Sequence, residues 1–157
     1  MSYDFNAQEI FKMAEQIERN GVIFYKKAAE DATDPEAKEF LQFMAEIEDE
    51  HENVFASMRA ELDAGETEAT LFDPEDETIL YLQALADTKV FSDDKIDTSS
   101  MHDILETAIM AEKNAIAFYV GMQDLVPGKR GKERLDAIIK EEKSHIVLLT
   151  NKLKSLS

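Results

Sequence analysis

Residues 18–25 of the chain read ERNGVIFY, and residues 112–119, which lie 94 positions further along, read EKNAIAFY. The same shift, without a gap, superimposes the motif Glu-x-x-His at residues 48–51 on a second copy at residues 142–145. Each half of the chain therefore carries one glutamate, followed 30 positions later by Glu-x-x-His. An ungapped internal repeat predicts two related structural units that pack with approximate two-fold symmetry.

Start and stop signals predict that each unit is a pair of long helices. Three of the helices are predicted to begin at a capping residue that is followed by an acid three positions later or by a proline at the first helical position. The four predicted helices run from Asn6 to about Asp31, from Asp34 to about Ala64, from Ser100 to a residue before Pro127, and from about Lys132 to Lys154. Short connections within each pair predict two antiparallel helical hairpins.

Residues 65–99 separate the two hairpins and are predicted to be a crossover rather than a linker between domains. Residues 73–75, Asp-Pro-Glu, are predicted to cap a short helix whose apolar stripe is Ile79, Leu82 and Leu85. The sequence therefore predicts an all-α protein, a four-helix bundle of two related hairpins with a long crossover that carries a short helix. The whole chain, 157 residues, is predicted to be one domain, 1–157.

The apolar seams of these helices contain polar residues at their centres. Apolar side chains recur at alternating steps of three and four, which is typical of a bundle core. Glu-x-x-His on a helix places both side chains on one face, one turn apart. The six polar seam residues are Glu18, Glu48, His51, Glu112, Glu142 and His145. We expect these six side chains to converge at the bundle centre.

Such a cluster predicts a site for two metal ions. Four buried carboxylates without cations are unfavourable, and two divalent ions would cancel their charge. The chain has no cysteine, so any metal must be held by oxygen and imidazole nitrogen. Carboxylate with imidazole suits iron, and manganese is possible, whereas calcium or magnesium would not require histidine. The alternative, glutamates on a solvated surface, would need all six residues to reach the seams by accident.

Composition argues against several other classes of protein. The formal net charge is −17, and a chain this acidic is repelled by phosphate backbones and anionic membrane surfaces, so we expect no nucleic-acid partner. No basic segment followed by an apolar run is visible at the N-terminus, and no apolar stretch is long enough for a membrane span. We therefore expect no membrane partner and a cytoplasmic location.

On these motifs the sequence resembles the rubrerythrin-like branch of the ferritin-like superfamily. The resemblance covers essentially the whole chain, and it implies a non-haem di-iron centre that reacts with hydrogen peroxide or dioxygen. It implies that Glu18 and Glu112 are terminal ligands, that Glu48 and Glu142 bridge the metals, and that His51 and His145 each bind one metal.

The chain departs from rubrerythrins at two points. Rubrerythrins carry a four-cysteine rubredoxin domain, which we expect this cysteine-free chain to lack, so electrons would come from a separate donor such as a rubredoxin-type protein. They also usually carry an additional glutamate where this sequence has Ala115. We therefore expect a six-ligand centre.

Two tyrosines, Tyr25 and Tyr119, follow Glu18 and Glu112 by seven residues on similar helix faces. They could hydrogen-bond the ligand carboxylates and so assist catalysis. The alternative is that they are core aromatics whose hydroxyl groups find any nearby acceptor. The sequence does not distinguish the two.

The predicted function is a di-iron oxidoreductase that reduces hydrogen peroxide, or dioxygen, as a ferrous pair is oxidised. An alternative is a ferroxidase that handles stored iron, which would form a large oligomer and oxidise many irons per chain. A third, less favoured possibility is a metal-free helical interaction module. We expect the protein to be a homodimer.

Overall fold

The computed structural model describes residues 7–62, 80–82, 84–85, 100–126 and 128–156. Its four long helices are α1 (Ala7–Asp31), α2 (Pro35–Ala60), α3 (Met101–Gln123) and α4 (Lys129–Ser155). They correspond one to one with the four helices that the sequence predicts, and the all-α prediction is confirmed.

Two of the predicted capping residues cap the N-termini of their helices as expected. The Asp34 carboxylate accepts a hydrogen bond of 3.0 Å from the backbone N–H of Ala37, at the start of α2. The Ser100 hydroxyl accepts one of 3.4 Å from the N–H of Asp103, at the start of α3. Each bond satisfies an N–H that has no partner within its helix. The third predicted cap, Asn6, lies outside the described residues.

Two boundaries differ from the prediction. Helix α4 begins at Lys129 rather than near Lys132, because Gly128 adopts a φ of 81° and turns the chain directly into the helix. Glycine has no side chain that could cap the helix, so no capping residue in the sequence marks this start. Helix α2 ends at Ala60, earlier than the expected Ala64, which itself lies outside the described residues.

Part of the crossover is visible and agrees with the expected short helix. Residues 80–82 and 84–85 are helical, and Leu82 of the predicted apolar stripe is buried in the core. The predicted cap at residues 73–75 and the stripe residue Ile79 lie outside the described residues. The visible part therefore supports a crossover that packs on the bundle.

The helices pair as two hairpins. Helix α1 packs along α2 and α3 along α4, while α1 also contacts α3. Arg59, near the end of α2, donates two hydrogen bonds of 2.7 and 3.1 Å to Glu15 near the start of α1, as antiparallel packing requires. Leu41 and Leu135, which the repeat pairs, are both fully buried. The predicted seams therefore face a common core, and their central residues meet there.

Candidate metal centre

All four helices contribute polar side chains to one buried cluster at the centre of the bundle. Helices α1 and α3 each provide one glutamate, and α2 and α4 each provide one Glu-x-x-His motif. The cluster consists of Glu18, Glu48, His51, Glu112, Glu142 and His145, each no more than 3% exposed. The structure thus brings together all six residues that the sequence singles out, and their role as metal ligands stays a prediction.

The cluster divides into two overlapping groups of four side chains. The first group is Glu18, Glu48, His51 and Glu142, and the second is Glu48, Glu112, Glu142 and His145. Within each group, one potential ligand atom per residue lies within 4.8 Å of all the others. Glu48 and Glu142 belong to both groups. We call the space enclosed by the first group the His51 position and the space enclosed by the second group the His145 position.

Five of the six side chains in the cluster have a buried polar atom without a hydrogen-bond partner. One carboxylate oxygen of each glutamate and Nδ1 of one histidine are buried without a hydrogen-bond partner; they are Glu18 Oε2, Glu48 Oε1, Glu112 Oε2, Glu142 Oε2 and His145 Nδ1. Such atoms are rare in native proteins because leaving them unpaired is costly. They are all electron-pair donors, and a pair of divalent cations would satisfy them. Carboxylates with imidazoles form a donor set that fits iron.

His51 makes close contacts through both ring nitrogens. Its Nδ1 lies 2.7 Å from Glu142 Oε1 and 3.6 Å from Glu18 Oε1, inside the cluster. Its Nε2 donates a hydrogen bond to Glu141 Oε2 on the outer side. The carboxylates of Glu142 and Glu18 beside Nδ1 favour the protonated ring when no metal is bound. A metal ion in the cluster would replace only the proton on Nδ1.

His145 is held less tightly than its symmetry mate. Its Nδ1 lies 3.8 Å from Glu48 Oε1 and 3.8 Å from Glu142 Oε2, which is beyond hydrogen-bond distance. The ring lies nearly parallel to that of His51, with 5.8 Å between centroids and 17° between planes. The two imidazoles therefore stand side by side across the centre of the bundle.

Hydrogen bonds from two tyrosines connect the two hairpins at the cluster. The Tyr25 hydroxyl on α1 donates a hydrogen bond of 3.0 Å to Glu112 on α3. The Tyr119 hydroxyl on α3 donates one of 2.6 Å to Glu18 on α1. Both side chains are fully buried. Of the two interpretations that the sequence left open, these contacts favour hydrogen bonding to the cluster glutamates, each tyrosine binding the glutamate of the opposite hairpin.

Burial and repulsion decide which carboxyl groups are charged in the metal-free cluster. Burial, reinforced by the charges of neighbouring glutamates, raises the pKa of Glu48 and of Glu112 well above the usual value. Burial also raises the pKa of Glu142. For Glu18, the neighbouring Glu48 carboxyl group and His51 ring outweigh burial and lower the pKa. The metal-free site therefore retains protons that a cation would have to displace.

The two histidines respond in opposite directions. Burial disfavours the charged form of each, but for His51 the hydrogen bond with Glu142 and the nearby carboxylate of Glu18 outweigh it and raise its pKa to about 11. For His145 burial prevails, and its pKa falls below the usual value. Burial, with the negative charge of the accepting glutamate, raises the pKa of both Tyr25 and Tyr119. The phenol groups therefore stay protonated and able to donate.

Two residues beside the cluster were not identified from the sequence. Glu141 binds His51, although its side chain is 60% exposed and its position next to Glu142 resembles an ordinary surface acid. Gly21 leaves room for Glu48: a Cβ atom at this position would lie 3.0 Å from Glu48 Oε2. The one available signal was the repeat itself, because both residues differ in type from their symmetry mates, Ile47 and Ala115.

The remaining histidine, His102, lies at the surface near the start of α3. Its side chain is 58% exposed and stands 3.7 Å from Asp103 and 3.6 Å from Glu106. Exposed groups of this kind are common without a ligand. We therefore assign no role to it.

Comparisons with known proteins agree with this architecture. The rubrerythrin family model matches residues 1–59, a segment that includes Glu18, Glu48 and His51. No curated protein matches the chain. Among the described helices, none has an apolar stretch long enough to cross a membrane.

A solved structure shares the fold over its full length. It is a crystal structure of a Thermotoga maritima protein described as a candidate ferritin-like diiron-carboxylate protein, with a TM-score of 0.74. The two chains are 21% identical, and the match covers 100% of each. The chain therefore has a ferritin-like fold, and its first 59 residues are similar to rubrerythrins.

Proposed function

We propose that the cluster holds two iron ions and that the protein is a rubrerythrin-like oxidoreductase, which reduces hydrogen peroxide, or dioxygen, as the ferrous pair is oxidised. The observation that carries the proposal is the set of unpartnered donor atoms on five buried side chains at the bundle centre. A metal-free helical module would have no reason to maintain them, because each costs stability when it is left unpaired.

The ligand roles follow from membership of the two groups. Glu18 and His51 would bind the ion at the His51 position, and Glu112 and His145 the ion at the other position. Glu48 and Glu142 belong to both groups and would be shared between the ions. Four carboxylates match the charge of two divalent cations. Manganese, which accepts similar ligands, would also fit this donor set.

When bound, the ferrous pair would supply the two electrons that convert one hydrogen peroxide and two protons into two waters. The chain's own residues would prepare that chemistry. The Tyr25 and Tyr119 hydroxyls orient the terminal carboxylates, and the apolar core excludes bulk water. Because the oxidised pair must be reduced again, we expect a separate electron donor such as a rubredoxin-type protein.

The proposal is tested by loading the metal-free protein with ferrous iron under anaerobic conditions and mixing it with peroxide or dioxygen. We expect oxidation of two irons per peroxide, faster than with dioxygen. Glu48→Gln should abolish the reaction. Glu46→Gln, which removes an exposed carboxylate from the same helix, serves as the matched control and should react like the unmodified protein. Absence of iron oxidation by either oxidant would contradict the proposal.

The same experiment distinguishes the ferroxidase alternative. A ferroxidase that loads a store would oxidise many irons per chain, prefer dioxygen, and elute as a large assembly. The proposed oxidoreductase should instead stop at about two irons per chain and elute as a small oligomer, for which we propose a homodimer.

A further inference from the structure

The internal repeat is broken directly beside one of the candidate ligands. Glu141 precedes Glu142 in α4, whereas its symmetry mate, Ile47, precedes Glu48 in α2. The six candidate ligands are identical in type between the halves, so this substitution changes the surroundings of the site and leaves the ligand set intact. The two halves therefore offer their histidines different neighbours.

Glu141 holds the His51 ring from its outer side. The Nε2–H of His51 donates to Glu141 Oε2, which leaves Nδ1 facing Glu142 at 2.7 Å and Glu18 at 3.6 Å. A carboxylate that accepts the distal N–H of a ligating imidazole fixes its tautomer and ring orientation, and raises its strength as a ligand. Nδ1 of His51 is thus already directed into the cluster, where a bound ion would replace its proton.

His145 has no equivalent support within the part of the chain that the structure describes. Ile47, at the position that matches Glu141, has an aliphatic side chain and cannot accept a hydrogen bond. His145 Nδ1 is buried without a partner, and its nearest carboxylate oxygens lie 3.8 Å away. Among the described residues no hydrogen bond to Nδ1 fixes its ring orientation.

We propose that the two metal positions are inequivalent, and that Glu141 is a positioning residue that makes the His51 position bind its ion first and more tightly. The inference rests on the proposed function, because it assumes that the cluster holds two ions. It adds the order in which the two ions bind, and it attributes that order to Glu141, a carboxylate that is not itself a candidate ligand.

The test is an anaerobic titration of the metal-free protein with Co²⁺, followed by the visible absorption of the bound ion and by calorimetry. Co²⁺ replaces ferrous iron in sites of this kind and is not oxidised during the measurement. We expect two binding phases in the unmodified protein. His51→Ala should remove the tighter phase, and His145→Ala the weaker one, which assigns each phase to a position.

The variants at residue 141 then test the positioning role. Glu141→Ala should weaken the tighter phase by about 10- to 100-fold and leave the weaker phase unchanged. Glu141→Gln retains an acceptor oxygen and should restore part of the loss. Glu133→Gln, which removes an exposed carboxylate from the same helix, is the matched control and should change neither phase. Ile47→Glu should tighten the weaker phase.

Each outcome decides a separate claim. Two phases of equal affinity, or an equal weakening of both phases in Glu141→Ala, would overturn the positioning role while leaving the proposed function intact. A protein that fails to bind two ions would overturn the proposed function and the inference with it. Because the Glu141 side chain is 60% exposed, its replacement leaves the core unchanged, and circular dichroism verifies that the variants fold.

Discussion

The two helical hairpins share their candidate ligands and differ in what surrounds them. The α1–α2 hairpin has Gly21 and Ile47 where the α3–α4 hairpin has Ala115 and Glu141. In the first hairpin the missing Cβ of Gly21 admits the carboxylate of Glu48. In the second, an added carboxylate reaches across the bundle to His51. The repeat thus preserves the ligand set while its neighbours diverge.

The two histidines also differ electrostatically in the metal-free protein. His51, whose Nδ1 faces the carboxylates of Glu142 and Glu18, has its pKa raised to about 11 despite burial. His145, whose carboxylates are more distant, has its pKa lowered by burial. Two chemically identical side chains in related positions therefore differ in pKa, because small differences in distance decide how strongly a carboxylate favours the charged imidazole.

The largest expected effect comes from removing a glutamate that both positions share. Glu48→Gln should weaken binding at both positions, so that bound metal falls from about two ions per chain to less than one. Glu18→Gln removes a ligand from the His51 position alone and should leave about one ion. Metal analysis after equilibrium dialysis measures both values. Equal losses in the two variants would contradict the assignment of shared and unshared ligands.

The fall of stability with rising pH is expected to disappear when metal binds. A raised pKa means that a group contributes stability below its ordinary value and loses it as the pH rises through the raised value. This applies to Glu48, Glu112 and Glu142, whose ordinary value is 4.5, and to His51, whose ordinary value is 6.5 and raised value about 11. The metal-free protein should therefore become less stable as the pH rises from about 6.5 towards about 11, the range set by His51.

The two groups whose pKa is lowered do not change the stability of the protein within this pH range. Glu18 and His145 contribute stability that is already complete above 4.5 and 6.5, respectively. Metal binding requires deprotonated ligands, so the stabilisation that metal provides should increase over the same range. Urea unfolding with a chelator or with Co²⁺ measures the two trends. Parallel curves with and without metal would contradict the expected proton release.

The crossed tyrosines should produce effects of intermediate size. Tyr119→Phe and Tyr25→Phe each remove one hydrogen bond to a buried carboxyl group, which should lower the free energy of unfolding by about 1–3 kcal/mol. The loss should be greater for Tyr119, whose bond to Glu18 is 2.6 Å, than for Tyr25, whose bond to Glu112 is 3.0 Å. Urea unfolding of the metal-free variants measures both losses.

Metal binding by these variants distinguishes the two hairpins. Tyr119→Phe should weaken the phase of Co²⁺ binding assigned to the His51 position, because it releases Glu18. Tyr25→Phe should weaken the other phase, because it releases Glu112. Phe118→Leu, which alters a buried aromatic neighbour without a hydroxyl group, is the control for packing. Identical effects on both phases would show that the tyrosines act only as core aromatics.

The smallest effect is expected at Gly21. Gly21→Ala should stabilise α1 by about 0.5–1 kcal/mol, because alanine favours a helix interior. The added Cβ would stand 3.0 Å from Glu48 Oε2, so the carboxylate must shift by a few tenths of an ångström and metal binding should weaken. Thermal unfolding and Co²⁺ titration separate these opposite effects. The reverse change in the mate, Ala115→Gly, should destabilise the helix.

The sequence predicted the four helices and the six central residues because both depend on periodicity. Glu18 and its mates could be identified because they interrupt apolar seams in register with an internal repeat. Glu141 could not, because whether a surface acid turns inward depends on the distance between α2 and α4, which no local pattern encodes. The hydroxyl contacts of Tyr25 and Tyr119 likewise depend on how the two hairpins pack.

The most direct test of the metal centre is a crystal structure of the iron-loaded protein with anomalous data collected at the iron absorption edge. The account predicts two anomalous peaks, one beside Glu18 and His51 and the other beside Glu112 and His145, with Glu48 and Glu142 between them. Absence of peaks among these six side chains, or iron bound only at the surface, would contradict it.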